Sequence, residues 1–192
     1  MNRSALIISF FNLSILFAQA QDSLPYREVP NYPQAYSAGT VAARVIDGLG
    51  FRFYWATEGL RADDLKYKPS EAARTSEETI DHIYGMSKMI VNATKGEINQ
   101  AEEESLSFEE KRRLTLSNLK EASDILKQSD DLEAMKVIFE NEKGRTEYPF
   151  WNLLNGPIDD CIWHVGQIVT FRRTSGNPIS PKVSFFSGKV RQ

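Results

Sequence analysis

The sequence predicts an all-α protein built as a four-helix bundle. Three observations predict it: apolar residues recur at steps of three and four in long segments, two capping boxes mark helix starts, and glycines follow the ends of helical segments. Helices of this length bury their apolar faces best against one another, so a bundle is the expected arrangement.

The first twenty residues differ from the rest and are typical of a secretory signal peptide. Arg3 is the only charged residue among them, residues 5–17 form an apolar stretch, and Ala18-Gln19-Ala20 supplies a small-residue cleavage signal. The apolar stretch is shorter than the roughly 20 residues that a membrane-spanning helix needs. We therefore expect cleavage after residue 20, export to a periplasm or out of the cell, and no stable membrane anchor.

Charge and cysteine content narrow the function classes. The full chain has a net charge of −3, and loss of Arg3 with the signal peptide makes the mature chain slightly more acidic. A nucleic-acid-binding protein needs a basic surface to neutralise phosphates, so the composition argues against that class. Cys161 is the only cysteine, so the domain depends on packing instead of an internal disulfide.

Residues 21–38 contain Pro25, Pro30 and Pro33 with little periodicity, which predicts an extended lead-in along the surface. The first helix follows, from about residue 40 to residue 60. Its apolar stripe consists of Ala42, Ile46, Leu49, Phe53, Ala56 and Leu60. Gly48 and Gly50 lie inside this helix, where each costs about 1 kcal/mol relative to alanine, so the prediction depends on the length of the repeat.

Two capping boxes predict where the next two helices begin. The paired residues are Thr75 with Glu78 and Ser107 with Glu110. The second helix is predicted over residues 76–94, with Gly96 beyond its end, and the third ends near Gln128.

The segment from residue 132 to residue 148 is left open. Val137-Ile138-Phe139 fits either a short strand or one helical turn. A fourth helix is predicted over residues 150–174, with Pro157 expected to kink it or to split off its first turn.

One helical domain is therefore expected over residues 39–178. The remaining residues, 179–192, contain apolar side chains and are expected to fold back over the bundle as a C-terminal tail.

The two histidines of the sequence lie on predicted helices and suggest a metal site. His82 is on the second helix and His164 on the fourth, where Asp160 precedes it by four residues and shares its helix face. Two imidazoles and a carboxylate suit zinc, nickel, iron or manganese and leave positions open for water or substrate. Spacing alone leaves Asp159 and Glu78 as rival carboxylates. The alternative is that both histidines are hydrogen-bonded core residues.

Two neighbours of these residues have less specific roles. Gln167 lies seven residues after Asp160 on the same helix face and is a candidate for a bond to a ligand or substrate. Cys161 is interpreted as a buried hydrophobic residue and not as a nucleophile.

Several stretches carry a family resemblance. They are Gly50-Phe51-Arg52 to Leu60, residues 79–83, Trp151 to Leu154, His164 to Ile168, Phe171 to Arg173 and Gly176 to Pro178. Through them the sequence resembles the DinB/YfiT-like family over roughly residues 40–178, most sharply at His164-Val165-Gly166-Gln167.

The resemblance implies a four-helix bundle in which three histidines bind a divalent metal. One histidine comes from the second helix and two, four residues apart, from the last. His82 matches the first position and His164 the last, whereas the middle position is occupied by Asp160. The resemblance therefore implies His82, Asp160 and His164 as metal ligands. The carboxylate either preserves a site with altered charge and metal preference or marks a branch that lost its metal.

Two functions are open at this point. A metal-dependent enzyme would activate water for hydrolysis or a thiol for transfer, and the resemblance brings thiol-dependent transferases and isomerases into view. Expected export favours hydrolysis, because low-molecular-weight thiols are mainly cytosolic. The alternative is a metal-free binding or stress-related module. The partner is expected to be a small molecule of unknown identity, and a homodimer is compatible with either function.

Overall fold

A computed structural model describes residues 24–100, 105–129 and 131–192. The predicted signal peptide lies outside these residues. Within them, no helix is both long enough and apolar enough to cross a membrane. The helices are α1 Ala38–Thr57, α2 Ala62–Lys66, α3 Ser76–Lys95, α4 Phe108–Lys127, α5 Phe150–Leu153 and α6 Asp159–Thr174, with a π-helical turn over Leu154–Ile158. The strands are β1 Ile98–Asn99, β2 Val137–Asn141, β3 Gly144–Tyr148, β4 Val183–Ser184 and β5 Lys189–Val190.

The four long helices enclose one hydrophobic core. Helices α1 and α3 each pack against both α4 and α6, so the apolar stripe of every long helix has two neighbours. Fully buried members of this core include Ile46, Phe53, Ile83, Ile90, Leu116, Leu119, Leu126 and Ile168. The fold is mainly helical, as predicted, but the all-α description is incomplete because the chain also forms two small sheets.

The capping boxes that the sequence indicates are present. Thr75 Oγ1 accepts from the backbone N–H of Glu78, and the Glu78 carboxylate accepts from the backbone N–H of Thr75. Ser107 and Glu110 make the same reciprocal pair at the start of α4. Each cap satisfies backbone donors that the first helical turn leaves unpaired.

The lead-in before α1 differs from the prediction because part of it enters the core. Tyr26 is buried against α1, and its hydroxyl donates to Asp47 Oδ1 at 3.1 Å. Gly50 makes this possible: a Cβ at that position would lie 2.4 Å from the Tyr26 ring. The glycine that weakened the helix prediction therefore provides the space into which an aromatic ring packs.

The segment left open by the sequence is a β-hairpin. Strands β2 and β3 are antiparallel, and β1 adds to β2 in parallel. Asn141 pairs with Gly144 across a two-residue turn, and Gly144 has a φ of 127°, which L-residues rarely adopt. Val137 and Ile138 are buried, whereas Phe139 is 38% exposed. The hairpin therefore presents an aromatic side chain outside the core.

The helix predicted over residues 150–174 is interrupted by the π-helical turn. Pro157 lies inside this turn. Proline lacks a backbone N–H and cannot continue an α-helical ladder, and the wider turn accommodates that missing donor. Helix α6 begins immediately afterwards at Asp159, so the turn determines which residues form its first turn.

A buried arginine joins α6 to the end of α1. Arg172 is 4% exposed, and its Nη1 donates to the carbonyl oxygens of Trp55, Ala56 and Glu58 at 2.8, 3.1 and 3.0 Å. These carbonyls lie at the C-terminal end of α1, where backbone oxygens have no intrahelical N–H donor. Arg172, in the last turn of α6, therefore supplies hydrogen-bond donors to the carbonyls at the end of α1.

The C-terminal tail packs back onto α1 and the lead-in. The backbone N–H of Val29 donates to the carbonyl oxygen of Gly188 at 2.9 Å. Val29, Phe51 and Val183 form a second, smaller cluster of buried side chains. The tail and the lead-in thus pack together on one face of α1.

The packing of Tyr26 on Gly50 predicts opposite effects for two neighbouring glycines. Gly50→Ala is expected to lower the free energy of unfolding by about 1–3 kcal/mol, because the new methyl group overlaps a buried ring. Gly48→Ala is the matched control. Its Cβ would meet only the mobile end of Arg52, at 3.2 Å, so we expect a change between zero and about 1 kcal/mol of stabilisation. Urea unfolding measures both, and equal effects would contradict this packing.

Candidate metal centre

The three predicted ligands meet where α3 faces the first turns of α6. His82 Nε2 lies 3.1 Å from Asp160 Oδ2, and His164 Nε2 lies 3.5 Å from Asp160 Oδ1. One donor atom from each residue can be chosen so that all three lie within 4.8 Å of one another. The structure therefore brings His82, Asp160 and His164 together, although they come from parts of the chain about 80 residues apart.

Buried neighbours on both helices hold these side chains at the surface of the core. Ile83, next to His82, is fully buried, so the histidine is directed to the edge of the core. Ile158, at the end of the π-helical turn, and Cys161, on α6, are also fully buried and lie on either side of Asp160 in the sequence. The side chains of His82, Asp160 and His164 are 35%, 42% and 14% exposed. The three residues are thus anchored yet accessible from solvent.

The structure distinguishes Asp160 from its rivals. The Glu78 carboxylate is engaged in the capping box of α3, where it accepts from Thr75 at 2.7 Å. Asp159 is exposed on α6. Only Asp160 among these carboxylates bridges both histidines.

Gln167, a candidate for a bond to a ligand or substrate, contacts His164. Its Oε1 lies 2.8 Å from Nδ1 of His164. A carbonyl oxygen can only accept a hydrogen bond, so this contact is a hydrogen bond when Nδ1 carries a proton, and the neutral ring would then have Nε2 available to bind an ion. Orienting a ligand histidine through its second ring nitrogen is a common feature of metal sites.

The donor set fits a divalent metal. A tetrahedral ion with bonds of about 2.1 Å separates its ligand atoms by about 3.4 Å. The two distances to Asp160 are close to that value, but the 3.1 Å distance from His82 is to Oδ2 and the 3.5 Å distance from His164 is to Oδ1. The three donor atoms lie within 4.8 Å of one another, so side-chain rotation would be needed to bring them around one ion.

A cavity of about 320 Å³ adjoins the site. It is lined by His82, Met86, Met89, Val137, Phe139, Tyr148, Asn152, Gly156, Pro157 and Asp160. The cavity could not be predicted from the sequence, because part of its lining comes from the hairpin, whose structure the sequence left open. The available signal was the short run of β-branched and aromatic residues Val137-Ile138-Phe139, followed by a turn that contains Gly144.

Cys161 is adjacent to the site but directed into the core. It is fully buried, and this burial, together with the negative charge of Asp160, raises the pKa of its thiol above the ordinary value. The residue is therefore held as an uncharged thiol within the packing of the helices.

These features define a class: a mainly helical protein with two imidazoles and a carboxylate gathered at the junction of two helices. No family model and no curated protein matches the chain. Among solved structures, it is similar to the crystal structure of a DinB-like protein, YjoA, from Bacillus subtilis, with a TM-score of 0.53 and 20% identity. The match covers 72% of this chain and 96% of that one. The chain thus has a DinB-like fold, and a likeness at this identity shows the fold alone.

The bridging position of Asp160 predicts a difference between two adjacent carboxylates. Asp160→Asn is expected to raise the dissociation constant for zinc at least about tenfold, because it removes the negative ligand. Asp159→Asn, one residue away and exposed, is expected to leave it unchanged. Calorimetric titration of the chelator-treated protein measures both. Equal affinities in the two variants would contradict this assignment.

Proposed function

We propose that the protein is an exported, divalent-metal-dependent hydrolase built on a DinB-like four-helix bundle. The observation that supports it is the convergence of His82, Asp160 and His164, of which His82 and Asp160 line a cavity. Export is supported by the signal-peptide pattern of residues 1–20. Accessible ligands beside an open cavity favour a reactive centre over a purely structural one, since structural metal sites are closed.

His82, Asp160 and His164 are the residues that would hold the metal. Two imidazoles and one carboxylate suit zinc, nickel, iron or manganese. Asp160 contributes a negative charge, so the net charge of a site with a dication would be lower than in a three-histidine site. A bound metal of this kind supplies Lewis acidity, which polarises a carbonyl oxygen and lowers the pKa of water.

The proposed reaction is hydrolysis of an acyl compound. The oxygen of water forms a bond to the acyl carbon, the bond from that carbon to the leaving heteroatom breaks, and one proton of water moves to the leaving atom. Gln167 holds the Nδ1 proton of His164 throughout, so the ring keeps one orientation. The cavity beside His82 and Asp160 positions the substrate. Hydrolysis is preferred to thiol transfer because an exported protein meets little low-molecular-weight thiol.

The experiment that tests this proposal uses the mature chain, purified without chelator and without a histidine tag. Elemental analysis is expected to find close to one divalent metal per chain in the wild type and a large loss in His82→Ala and His164→Ala. A panel of chromogenic esters and amides then measures hydrolysis with and without added zinc. We expect at least one substrate whose turnover depends on metal and falls by about 100-fold or more in both variants.

Two controls make the result specific. Asp159→Asn, which alters an exposed carboxylate next to the site, is expected to keep both metal and activity. Circular dichroism shows whether the histidine variants remain folded. Metal binding without turnover of any member of the panel, or turnover that survives loss of both histidines, would contradict the hydrolase proposal.

One observation favours a second function, a metal-free binding module. Every member of the site has a partner within the protein: His82 lies 3.1 Å from Asp160, and His164 lies 2.8 Å from Gln167. These pairs satisfy the polar groups without an ion. Wild-type protein that takes up no zinc, nickel or manganese would support this second function.

A further inference from the structure

We propose that the cavity beside the metal centre binds the apolar group of a small, uncharged carbonyl compound. This inference deepens the proposed function and rests on it for the chemistry of the carbonyl. The apolar part of the inference depends only on the residues that line the cavity.

The hairpin places two large apolar side chains where they face the cavity instead of the core. Phe139 and Tyr148 are 38% and 43% exposed, and their ring centroids lie 6.3 Å apart in an edge-to-face arrangement. Both line the cavity together with His82 and Asp160. Exposed aromatic rings that share a concave surface with converging polar groups are typical of a ligand site.

Helix α3 contributes Met86 and Met89 to the lining. Methionine side chains are flexible and polarizable, and they adapt to the shape of an apolar or aromatic partner. Val137 and Pro157 complete the apolar lining. A ring or branched acyl group would therefore meet apolar atoms on several sides.

The volume of the cavity and the charge of its lining residues restrict the class of ligand further. The volume of about 320 Å³ lies at the small end of ligand pockets, which span roughly 300–1,000 Å³. Among the described residues that line it, none is lysine or arginine, so phosphorylated ligands lack a cationic partner there. Asn152 provides an uncharged amide. These features favour a neutral compound with one ring or one short branched chain.

The position of the polar groups sets the orientation of the ligand. His82 and Asp160 lie at one side of the cavity, whereas Phe139 and Tyr148 belong to the hairpin. An apolar group packed on the aromatic rings would direct its carbonyl towards the two polar residues. The cavity would thus select substrates by the apolar group next to the scissile bond.

The test follows ligand binding by methyl NMR on the metal-free mature protein, with ¹³C-labelled methionine methyl groups. The probes are benzamide, acetamide and phenyl phosphate. Benzamide is expected to shift the methyl signals of Met86 and Met89 but not that of Met135, which is buried elsewhere in the core. We expect benzamide to bind at least about tenfold more tightly than acetamide, because it buries a phenyl ring, and more tightly than phenyl phosphate.

Two phenylalanine variants provide the matched comparison. Phe139→Ala is expected to reduce the preference for benzamide over acetamide several-fold. Phe186→Ala removes a fully exposed ring that does not line the cavity, and is expected to leave the preference unchanged. Equal binding of benzamide and acetamide, tighter binding of phenyl phosphate, or equal shifts at Met135 would overturn the inference.

The outcome is separable from that of the proposed function. Zinc titration of the same samples reports on the metal centre, whereas the methyl shifts report on the cavity. Zinc binding without any preference for benzamide would overturn this inference alone, and the reverse result would overturn the metal-dependent function alone.

Discussion

The candidate centre depends on the position of α6 against α1 and α3. Hydrogen bonds from the buried Arg172 hold α6 in that position. The Arg172 guanidinium donates to three carbonyls at the end of α1 and to the carbonyl of Asn177 beyond α6. A displaced α6 would leave a buried cation without acceptors, which is costly in a low-dielectric interior. Nearby, hydrogen bonds from Arg61, followed by Ser175, hold the pKa of Asp64 well below its usual range. The C-terminal end of α6 is thus fixed by contacts to α1 and α2.

The position of α6 in turn places the residues of the candidate centre. Pro157 forces a wider turn, α6 begins at Asp159, and Asp160 falls in its first turn facing α3. Asp160 meets His82 across the helix interface, while Gln167 orients His164 from one turn further on. The hairpin then encloses the space beside the two helices and turns an exposed cluster of polar side chains into the end of a cavity. Local backbone irregularity therefore determines where the polar groups converge.

The sequence predicts the elements well where local signals exist. Thr75 with Glu78, Ser107 with Glu110, and Gly96 mark helix ends through hydrogen bonds between near neighbours, so periodicity and caps place the long helices closely. Three features could not be derived from local spacing, because they depend on distant contacts. Val137-Ile138-Phe139 forms a strand only with β3 and β1 beside it. Tyr26 enters the core only because Gly50 leaves space for its ring. The choice of Asp160 over Asp159 depends on how α3 and α6 are rotated relative to each other.

The claim that these residues form a metal centre is tested most directly by anomalous diffraction from zinc-loaded crystals above the zinc absorption edge. If these residues bind zinc, we expect one strong anomalous peak about 2.0–2.2 Å from Nε2 of His82, Nε2 of His164 and a carboxylate oxygen of Asp160. The peak should vanish in His82→Ala crystals. A zinc-loaded crystal with no peak between these residues, or with its strongest peak elsewhere on the chain, would contradict a metal centre at this position.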